Sequence, residues 1–326
     1  MNPTDLIVLI DANNTCFRVG WANKHLTNDG EPTGVIYGFL RDVLGVWERW
    51  KHAKIVVVWD SKSEYRLTLS KEAILNGVIT EEQGYYKQNR ERKRAKDEAE
   101  GKINELGEAV AIQKPTLQEI LGKTLVQQIK VDGFEADDVI GTLATTHAQK
   151  GDVVKIMSSD KDMYQLLSSQ TSIYTLGGKH SISYEAFNGE FSISPEQWID
   201  VGALAGDTGD NIHGVRGIAE KTAIKILTEA EKELGISCGK ASYRDVIEHI
   251  KSKDEKKRKK KEQEVLNSEE IIHLAYKLKK IITNVNCCEE IGYQKSNPRE
   301  LRSMLESLGF RSIIGSTGLL TRRAWI

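Results

Sequence analysis

Acidic side chains are concentrated in a short stretch near the middle of the chain. Glu135, Asp137 and Asp138 fall within four residues, and an apolar pattern that begins at Val139 predicts that they open a helix. Carboxylates in a first helical turn gain only about 0.3–1 kcal/mol each from the helix dipole. Because like charges this close repel one another, we expect a cation among them. The pattern therefore indicates a divalent-metal site.

Three apolar runs that predict buried strands each lead into a further carboxylate. The runs are residues 6–10, 55–59 and 153–157, and the acidic residues after them are Asp11, Asp60, Asp160 and Asp162. The carboxyl ends of parallel strands meet at one edge of a sheet, where open α/β sheets place their sites. An Asp-x-Asp pair alone is weak evidence, because it also occurs in phosphatases and in plain Asx turns. As the fourth acidic element of one sheet, it strengthens the prediction of a metal site at this edge.

The elements between these runs have to bring the strands side by side. An apolar pattern from Val35 to Trp50 predicts a helix that crosses from the first strand to the second, and such βαβ crossovers are right-handed. We expect Asn13, Asn14 and Cys16 to lie in a loop after the first strand. The sequence after that strand lacks a GxGxxG motif, so a dinucleotide site has no support. The predicted fold is α/β, with a mostly parallel central sheet flanked by helices.

A basic segment interrupts the apolar pattern between Asp60 and Pro115. Its centre carries two tyrosines followed by cations, namely Tyr85, Tyr86, Lys87, Arg90, Arg92, Lys93, Arg94 and Lys96. An isolated run of this kind is usually a solvated helix with surface salt bridges. Its position directly after a predicted metal ligand instead favours contact with phosphate, to which Lys supplies a point charge and Arg a bidentate fork.

A tight acidic turn and a glycine-rich hairpin follow in the second half of the chain. Ser194 and Pro195 predict the start of a helix, which ends before Asp207 and Asp210 in the turn. The hairpin that comes next consists of Gly214, Val215, Arg216, Gly217, Ile218, Ala219, Glu220, Lys221, Thr222 and Ala223. Its backbone N–H groups and the start of its second helix can bind a phosphate. Any connection between helices can use glycine, but beside an acidic cluster we favour binding of a DNA backbone.

The overall composition is that of a globular protein with segregated charge. Of the 326 residues, 39% are hydrophobic and 29% are charged, and the net charge is −1. The basic blocks at residues 87–96 and 251–261 are thus balanced by acidic groups elsewhere, and local fields of this kind let a near-neutral protein bind polyanions. The second block has two interpretations that stay open, a non-specific phosphate contact and a solvated linker. For residues 320–326 we favour a frayed terminus over a peptide that binds a partner.

The cysteines and the terminal segments indicate a reducing environment. Cys16, Cys238, Cys287 and Cys288 lack any CxxC spacing, which disfavours both a zinc site and a disulfide framework. The sequence shows neither a signal peptide nor an apolar run of about 18 residues. We therefore expect a cytoplasmic protein that does not enter a membrane.

Taken in chain order, these motifs resemble those of one family, the 5′-nucleases. The family comprises flap endonucleases, bacteriophage 5′–3′ exonucleases and the nuclease domain of bacterial DNA polymerase I. The residues that carry the resemblance are Asp11, Asp60, Tyr86, Lys87, Arg90, Glu135, Asp137, Asp138, Asp160, Asp162, Asp207, Asp210, Asn211 and the hairpin from Gly214 to Ala223. The resemblance implies a PIN-like catalytic α/β domain at residues 1–180, with a helical arch at about 62–115. It also implies a helical DNA-binding region at residues 181–326, with a helix-hairpin-helix at about 196–230.

The resemblance further implies two metal ions in the acidic site. Around the first would lie Asp11, Asp60, Glu135 and Asp137; around the second would lie Asp137, Asp160, Asp162, Asp207 and Asp210, with Asp138 in support. Hard oxygen ligands without a His or Cys cluster favour Mg²⁺, with Mn²⁺ as a substitute, over zinc. Two such ions would activate a water molecule and stabilise the attacking and leaving oxygens.

The same resemblance implies roles for the basic segment and the hairpin. Lys87 and Arg90 would neutralise charge on the reacting phosphate. The implied DNA contacts are Tyr86, Arg92, Lys93, Gly214, Val215, Arg216, Gly217, Ile218, Lys221 and Thr222. The resemblance also implies K⁺ at the hairpin, although Ala219 stands where a third glycine is usual in the family.

The expected function is that of a 5′–3′ exonuclease and structure-specific flap endonuclease in DNA replication and repair. It would cut near the 5′ ends of flapped, nicked or RNA-primed duplexes and leave a 5′-phosphate and a 3′-hydroxyl. Expected partners are branched or nicked duplex DNA, RNA-primed DNA and a single-strand-binding or other replication protein. The chain would act as a monomer in the bacterial cytoplasm, as a phage or bacterial protein.

Three alternatives compete with this function. A single-strand RNase could use the same acidic sheet, although the hairpin disfavours it. A catalytically silent, structure-specific DNA-binding protein would leave the complete carboxylate set without a purpose. A phosphatase of the Asp-x-Asp type would explain neither the basic insertion nor the hairpin.

Overall fold

A mostly parallel sheet forms the centre of the computed structural model, which describes residues 5–175, 180–287 and 290–321. The strands are, in chain order, β1 (Leu6–Asp11), β2 (Thr27–Asn28), β3 (Glu31–Pro32), β4 (Lys54–Trp59), β5 (Gln127–Lys130), β6 (Val153–Met157), β7 (Thr171–Thr175) and β8 (His180–Ile182). In this part of the chain six strands form one sheet in the order β5–β4–β1–β6–β7–β8, in which only β8 is antiparallel to its neighbour. The strands β2 and β3 pair separately. The predicted fold class is confirmed.

Helices cover both faces of the sheet and make up most of the second half of the chain. They are α1 (Ala12–Ala22), α2 (Gly34–Arg49), α3 (Glu64–Leu75), α4 (Gln88–Ala99), α5 (Glu105–Leu121), α6 (Ala136–Gln149), α7 (Tyr184–Phe191), α8 (Trp198–Ala205), α9 (Glu220–Leu234), α10 (Tyr243–Ser252), α11 (Lys260–Asn267), α12 (Glu269–Lys279), α13 (Pro298–Ser307), α14 (Arg311–Ile314) and α15 (Thr317–Thr321). Short 3₁₀ helices lie at Lys161–Leu166, Pro195–Gln197 and Glu255–Lys257.

The alternation of side chains along β1 explains why both faces of the sheet are covered. Ile7 and Leu9 belong to one hydrophobic core, Val8 and Ile10 belong to the other, and all four are buried. The first core is completed by α6 and α8–α12, and the second by α1, α2, α5 and α13–α15. A strand covered on both faces requires a continuous apolar run, which residues 6–10 supply.

Strand register brings the ends of three strands to one edge of the sheet. β1 pairs in parallel with both neighbours, so that Asp11 lies opposite Val58 of β4 and Ile10 lies opposite Met157 of β6. The chain leaves all three strands at this edge. The carboxylates that follow the strands therefore emerge close together.

The chain passes directly from β1 into α1, where the sequence predicted a loop. Asp11 caps the helix, because its Oδ1 accepts the N–H of Asn14 at 3.1 Å. Cys16 is fully buried on the inner face of the helix. The expectation that Asn13, Asn14 and Cys16 lie in a loop is therefore wrong, because the cap and the buried face outweigh the weak helix propensity of asparagine.

The insertion between β4 and β5 consists of α3, α4 and α5. None of the residues of α4 is buried, so this helix stands clear of both cores. The following helix returns to the protein body, where Val110 and Leu117 pack into the second core. The predicted arch falls on α4 and the segments that flank it.

Hydrophobic packing continues across the predicted domain boundary at residue 180. Leu204, Leu227 and Ile272 share a core with Ile140 of α6. The two predicted regions therefore pack together around a shared core, and their division into a catalytic and a DNA-binding part stays a prediction about function.

Some sequence features fall outside the part of the chain that the structure describes. They are Cys288, a turn that Gly177 and Gly178 predict, and residues 322–326 of the terminal segment. Among the helices that are described, none combines the length and the apolar character needed to cross a membrane.

Candidate active site

One open cavity at the carboxyl edge of the sheet collects most of the predicted acidic residues. Seven carboxylates line it, those of Asp11, Asp60, Asp97, Glu135, Asp137, Asp160 and Asp210. Cations line the same cavity, namely Arg18, Lys87, Arg90, Lys93, Arg94 and Lys102. Its volume is about 1010 Å³, so it has room for a ligand far larger than a metal ion. The structure thus brings together side chains from three strand ends, α6 and the acidic turn.

Two asparagines at the start of α1 orient the side chains next to them. Asn13 Nδ2 donates a hydrogen bond to Asp60 Oδ2 at 3.1 Å. Asn14 Oδ1 accepts the backbone N–H of Ser159 at 3.1 Å, which ties the loop after β6 to α1. Sequence reasoning missed both roles. The signal that could have shown them is an Asn-Asn pair directly after a strand-end aspartate.

Burial and mutual repulsion raise the proton affinity of the deepest carboxylates. Burial raises the pKa of Asp11 to about 7, and the charges of Asp60 and Asp160 add to the rise. The pKa of Asp137 lies well above its ordinary value because of burial first, and then because of the charges of Asp160 and Asp11. A cation bound among these groups would favour their charged forms. The cavity is therefore electrostatically prepared for a positive ligand.

The donor set fits a hard divalent cation. Carboxylate oxygens are the ligands that Mg²⁺ and Mn²⁺ prefer. Among the described side chains, no three His, Cys, Asp or Glu groups already converge as a metal chelate. The carboxylates instead surround the cavity, as like charges do, and a bound cation would draw them inward.

The start of α4 is docked onto the acidic turn after α8. The backbone N–H of Lys87 donates to the carbonyl oxygen of Asp210 at 2.8 Å, and Arg90 pairs with the carboxylate of Asp210. Lys87 Nζ lies 2.6 Å from Glu135 Oε1, so its ammonium neutralises one cavity carboxylate. The backbone of Lys87 has a positive φ of 59°. This conformation costs a residue other than glycine about 1–3 kcal/mol and persists only where surrounding contacts enforce it. Both predicted catalytic cations therefore lie at the cavity.

The predicted DNA contacts of the insertion differ in position. Lys93 lines the cavity. Arg92 is exposed and donates to the carbonyl oxygen of Glu82 at 2.8 Å, which secures the loop before α4. Tyr86 is only 8% exposed, and its hydroxyl donates to Glu135 Oε2 at 2.9 Å. The structure thus corrects the expectation that Tyr86 faces DNA, because the ring is enclosed and its hydroxyl supports a carboxylate.

Asp138 is enclosed in the protein and does not line the cavity. Arg66 Nη1 and Nη2 donate to its two oxygens at 2.6 and 2.8 Å, and the N–H of Ile282 donates to Oδ1 at 2.9 Å. Arg66 also donates to the carbonyl oxygens of Leu278 and Lys280 at 2.8 and 3.0 Å. Because this network occupies its oxygens, Asp138 is not among the residues that can hold a metal ion. It joins α3 and α6 to the end of α12.

Replacing Arg66 with methionine should be strongly destabilising. The change leaves the fully buried Asp138 carboxylate without its partner, and breaking a buried pair in this way costs about 3–5 kcal/mol. The free energy of unfolding in urea measures the effect. The control is Lys54→Met, because the pair of Lys54 with Asp5 is partly exposed and should contribute less than about 1 kcal/mol. Equal losses in the two variants would contradict the prediction.

Asp162 and Asp207 are bound by a lysine that sequence reasoning missed. Lys279 Nζ lies 2.5 Å from Asp162 Oδ1 and 2.9 Å from Asp207 Oδ2. Burial raises the pKa of Asp162 to about 6 against the opposing charge of Lys279. For the less buried Asp207, burial acts in the same direction but Lys279 outweighs it, so its pKa lies below the ordinary value. Two of the five predicted ligands of the second ion are thus already paired with a cation.

The hairpin between α8 and α9 has a buried and an exposed side. Val215 and Ile218 are buried, and their N–H groups donate to the carbonyl oxygens of Leu204 and Val215 at 2.8 and 3.1 Å. These two residues therefore shape the hairpin and offer neither side chain nor amide to DNA, which corrects their predicted role. The residues on the exposed side are Arg216, Gly217, Ala219 and Lys221.

Close packing explains the glycine at the base of this hairpin. A methyl group at Gly214 would lie 2.3 Å from the backbone nitrogen of Gly206, so no larger residue fits. Thr222 is half-buried at the start of α9, where its N–H donates to Ala219 at 2.8 Å. The exposed backbone at Gly217 and the side chains of Arg216 and Lys221 stay the predicted phosphate contacts.

Two family models match adjacent parts of the chain. The model described as "5'-3' exonuclease, N-terminal resolvase-like domain" matches residues 6–192, and the one described as "5'-3' exonuclease, C-terminal SAM fold" matches residues 193–300. Together they cover the sheet, the insertion, the acidic turn and the hairpin.

Individual relatives and a solved structure agree with these models. DNA polymerase I of Thermus thermophilus is 30% identical over 98% of this chain, which spans about a third (34%) of that protein's length. The 5′-3′ exonuclease of Buchnera aphidicola is 29% identical, with 93% of this chain and 96% of that protein covered. The structure of bacteriophage T5 5′-exonuclease has the same fold, with a TM-score of 0.66 and 19% identity over 96% of each chain.

Proposed function

Because this chain belongs to the 5′-3′ exonuclease family, we propose that it is a divalent-metal-dependent nuclease that cuts phosphodiesters near the 5′ ends of branched, nicked or RNA-primed duplexes. The family resemblance that the motifs indicated is confirmed by the two family models. The observation that carries the proposal is the cavity in which seven carboxylates meet the cations of the insertion. A complete acidic set of this kind serves no purpose in a protein that only binds DNA.

The charges of the site explain why a metal is needed. A phosphodiester is an anion, and the cavity carboxylates alone would repel it. Bound Mg²⁺ or Mn²⁺ would reverse the field, activate a water molecule and stabilise the attacking and leaving oxygens. The side chains that would hold such ions are Asp11, Asp60, Glu135, Asp137, Asp160 and Asp210. Two ions are the family's arrangement, and we propose it here only for the complex with substrate.

The basic residues at the cavity would act on the phosphate directly. Lys87 is paired with Glu135 and Arg90 with Asp210, so each cation can exchange its carboxylate for a phosphate oxygen. Charge-assisted bonds of this kind, aimed at developing negative charge, are worth most in the transition state. Lys87 and Arg90 would therefore contribute to the rate more than to affinity.

The polarity and the substrate shape come from the family and from the position of the hairpin. The relative from Buchnera aphidicola carries the name 5′-3′ exonuclease and is similar over nearly its whole length. The exposed side of the hairpin, with Arg216 and Lys221, would hold the duplex backbone without reading its sequence. The DNA polymerase I relatives support a role in DNA replication, and we propose removal of RNA primers as that role. Binding of K⁺ at the helix-hairpin-helix, in which Ala219 replaces the usual third glycine, stays a prediction.

A gel assay with 5′-labelled substrates tests this function. We expect cleavage of flapped and nicked duplexes in Mg²⁺, with products that carry a 3′-hydroxyl and a 5′-phosphate, and complete inhibition by a chelator. Preferential digestion of unstructured RNA would support the RNase alternative. Binding to flapped DNA without any product, in the presence or absence of the chelator, would support a silent DNA-binding protein.

A further inference from the structure

Lys279 joins the acidic site from a part of the chain that is remote in sequence. Its ammonium lies 2.5 Å from Asp162 and 2.9 Å from Asp207, two of the aspartates that the family pattern places around a metal ion. The lysine side chain is 8% exposed, whereas the side chains of Asp162 and Asp207 are 19% and 33% exposed, so the ammonium is the most enclosed member of the group. The contact is thus a partly buried ion triad beside the carboxylate cavity.

Polar contacts fix the end of α12 that carries this lysine. Arg66 donates to the carbonyl oxygens of Leu278 and Lys280 at 2.8 and 3.0 Å. Gln165 Nε2 donates to the carbonyl oxygen of Lys279 at 3.1 Å. Because the backbone is held on both sides of Lys279, its ammonium has little freedom to leave the two aspartates.

The neighbouring helix leaves room for the lysine stem. A methyl group on Gly202 of α8 would lie 3.1 Å from Cε and 3.3 Å from Cγ of Lys279. These distances are shorter than the contact distance of about 3.5–4.0 Å between carbon atoms. Glycine at residue 202 therefore leaves the space that the side chain of Lys279 occupies, and a larger residue there would displace the lysine.

We infer that Lys279 is a fixed internal cation that takes the place of a metal ion on Asp162 and Asp207; the inference rests on the proposed nuclease function. A divalent ion on the same oxygens would lie within about 4 Å of the ammonium, and like charges at that distance in an enclosed site repel strongly. Metal binding therefore concentrates on the carboxylates that face the cavity. Lys279 is a positioning residue that keeps two family ligands charged and apart from the metal.

Lys87 shows how a lysine with a different role is placed. Its Nζ also contacts a carboxylate, at 2.6 Å from Glu135, but its side chain is 27% exposed and lines the cavity. Lys87 can therefore turn to a substrate phosphate. Lys279, at 8% exposure, stays with its aspartates whether or not substrate is bound.

Mn²⁺ binding to the whole chain without DNA tests the inference, with the electron paramagnetic resonance signal of free Mn²⁺ as the readout. Asp160 and Asp162 are a matched pair, since they stand two residues apart and only Asp160 lines the cavity. We expect one tightly bound Mn²⁺ in the natural sequence. Asp160→Asn should weaken its binding by about 100-fold or more, and Asp162→Asn by less than about 3-fold. Two tight sites, one of them lost in Asp162→Asn, would overturn the inference and leave the proposed function intact.

Lys279→Met, which keeps the stem and removes the charge, should give the complementary result. We expect this variant to bind a second Mn²⁺ on Asp162 and Asp207. The control is Lys277→Met, which changes an exposed lysine of the same helix and should still bind one Mn²⁺.

Should Lys279→Met fail to fold, the double variant Lys279→Met/Asp162→Asn restores the charge balance and is expected to bind one ion. Two ions in the double variant, or one in folded Lys279→Met, would overturn the inference. A natural chain that binds no Mn²⁺ would overturn the proposed function as well.

Discussion

Asp160→Asn should lower the single-turnover rate of flap cleavage by at least about a thousand-fold, or about 4 kcal/mol of transition-state stabilisation. Asp160 lines the cavity, and its charge contributes to the raised pKa of both Asp11 and Asp137. Asparagine keeps the oxygen that accepts the N–H of Asp162 at 2.8 Å, so the local turn persists and only the charge is lost. Affinity for flapped DNA without metal, measured by fluorescence anisotropy, should stay equal or rise because repulsion of the phosphate decreases.

A second aspartate in the same local structure provides the control for this change. Asp254 caps another 3₁₀ helix and accepts the N–H of Lys256 at 3.0 Å, but it is exposed and does not line the cavity. Asp254→Asn should therefore leave the cleavage rate within about twofold of the natural rate. A near-natural rate for Asp160→Asn in saturating Mg²⁺ would refute a metal-binding role for Asp160.

The positions of the carboxylates at the strand ends could be predicted from the sequence, because each one directly follows a short apolar run. Continuous apolar runs indicate strands that are covered on both faces, and parallel strands have to expose their carboxyl ends at one edge. Asp11, Asp60 and Asp160 follow such runs, and the register of β1 with its neighbours places all three at the cavity. The sequence therefore predicted the position of the site as well as its charge.

The contacts that complete the site could not be predicted, because they join residues far apart in the chain. Lys279 lies 117 residues from Asp162, and Arg66 lies 72 residues from Asp138. Lys277 and Lys280 flank Lys279 in the sequence and are exposed, so residue type alone does not show which lysine is enclosed. Only the packing of α12 against α3 and α8 makes the choice.

Burial also explains why the tyrosine of the insertion was assigned to the wrong surface. A basic, aromatic segment is typical of nucleic-acid contact, and most of α4 is indeed exposed. Tyr86, however, precedes the helix where the chain is still docked: its N–H donates to Ser70 Oγ at 3.1 Å, and its ring joins the first core. A pattern of residue types does not locate the point at which such a segment leaves the protein body.

Lys87→Met is expected to reduce the single-turnover cleavage rate by about 10²–10³-fold, or about 2.7–4 kcal/mol, while affinity for flapped DNA changes by less than about 3-fold. The ammonium lies at the cavity carboxylates, 2.6 Å from Glu135 and 3.7 Å from Asp210, where it can reach a phosphate held by metal. Methionine keeps the stem and the backbone N–H that donates to the carbonyl oxygen of Asp210 at 2.8 Å. The start of α4 should therefore stay docked, and rate and affinity, measured separately, report the charge alone.

Lys93→Met distinguishes a catalytic cation from a tether. Lys93 lies on the same helix and lines the same cavity, but it stands further along α4, away from the carboxylates that hold the start of the helix. A tether loses affinity and rate together, because it binds the ground state and the transition state equally. We expect this behaviour of Lys93 and a rate-dominated loss for Lys87. If Lys87→Met loses affinity and rate in equal measure, its ammonium attracts the substrate without acting in the transition state.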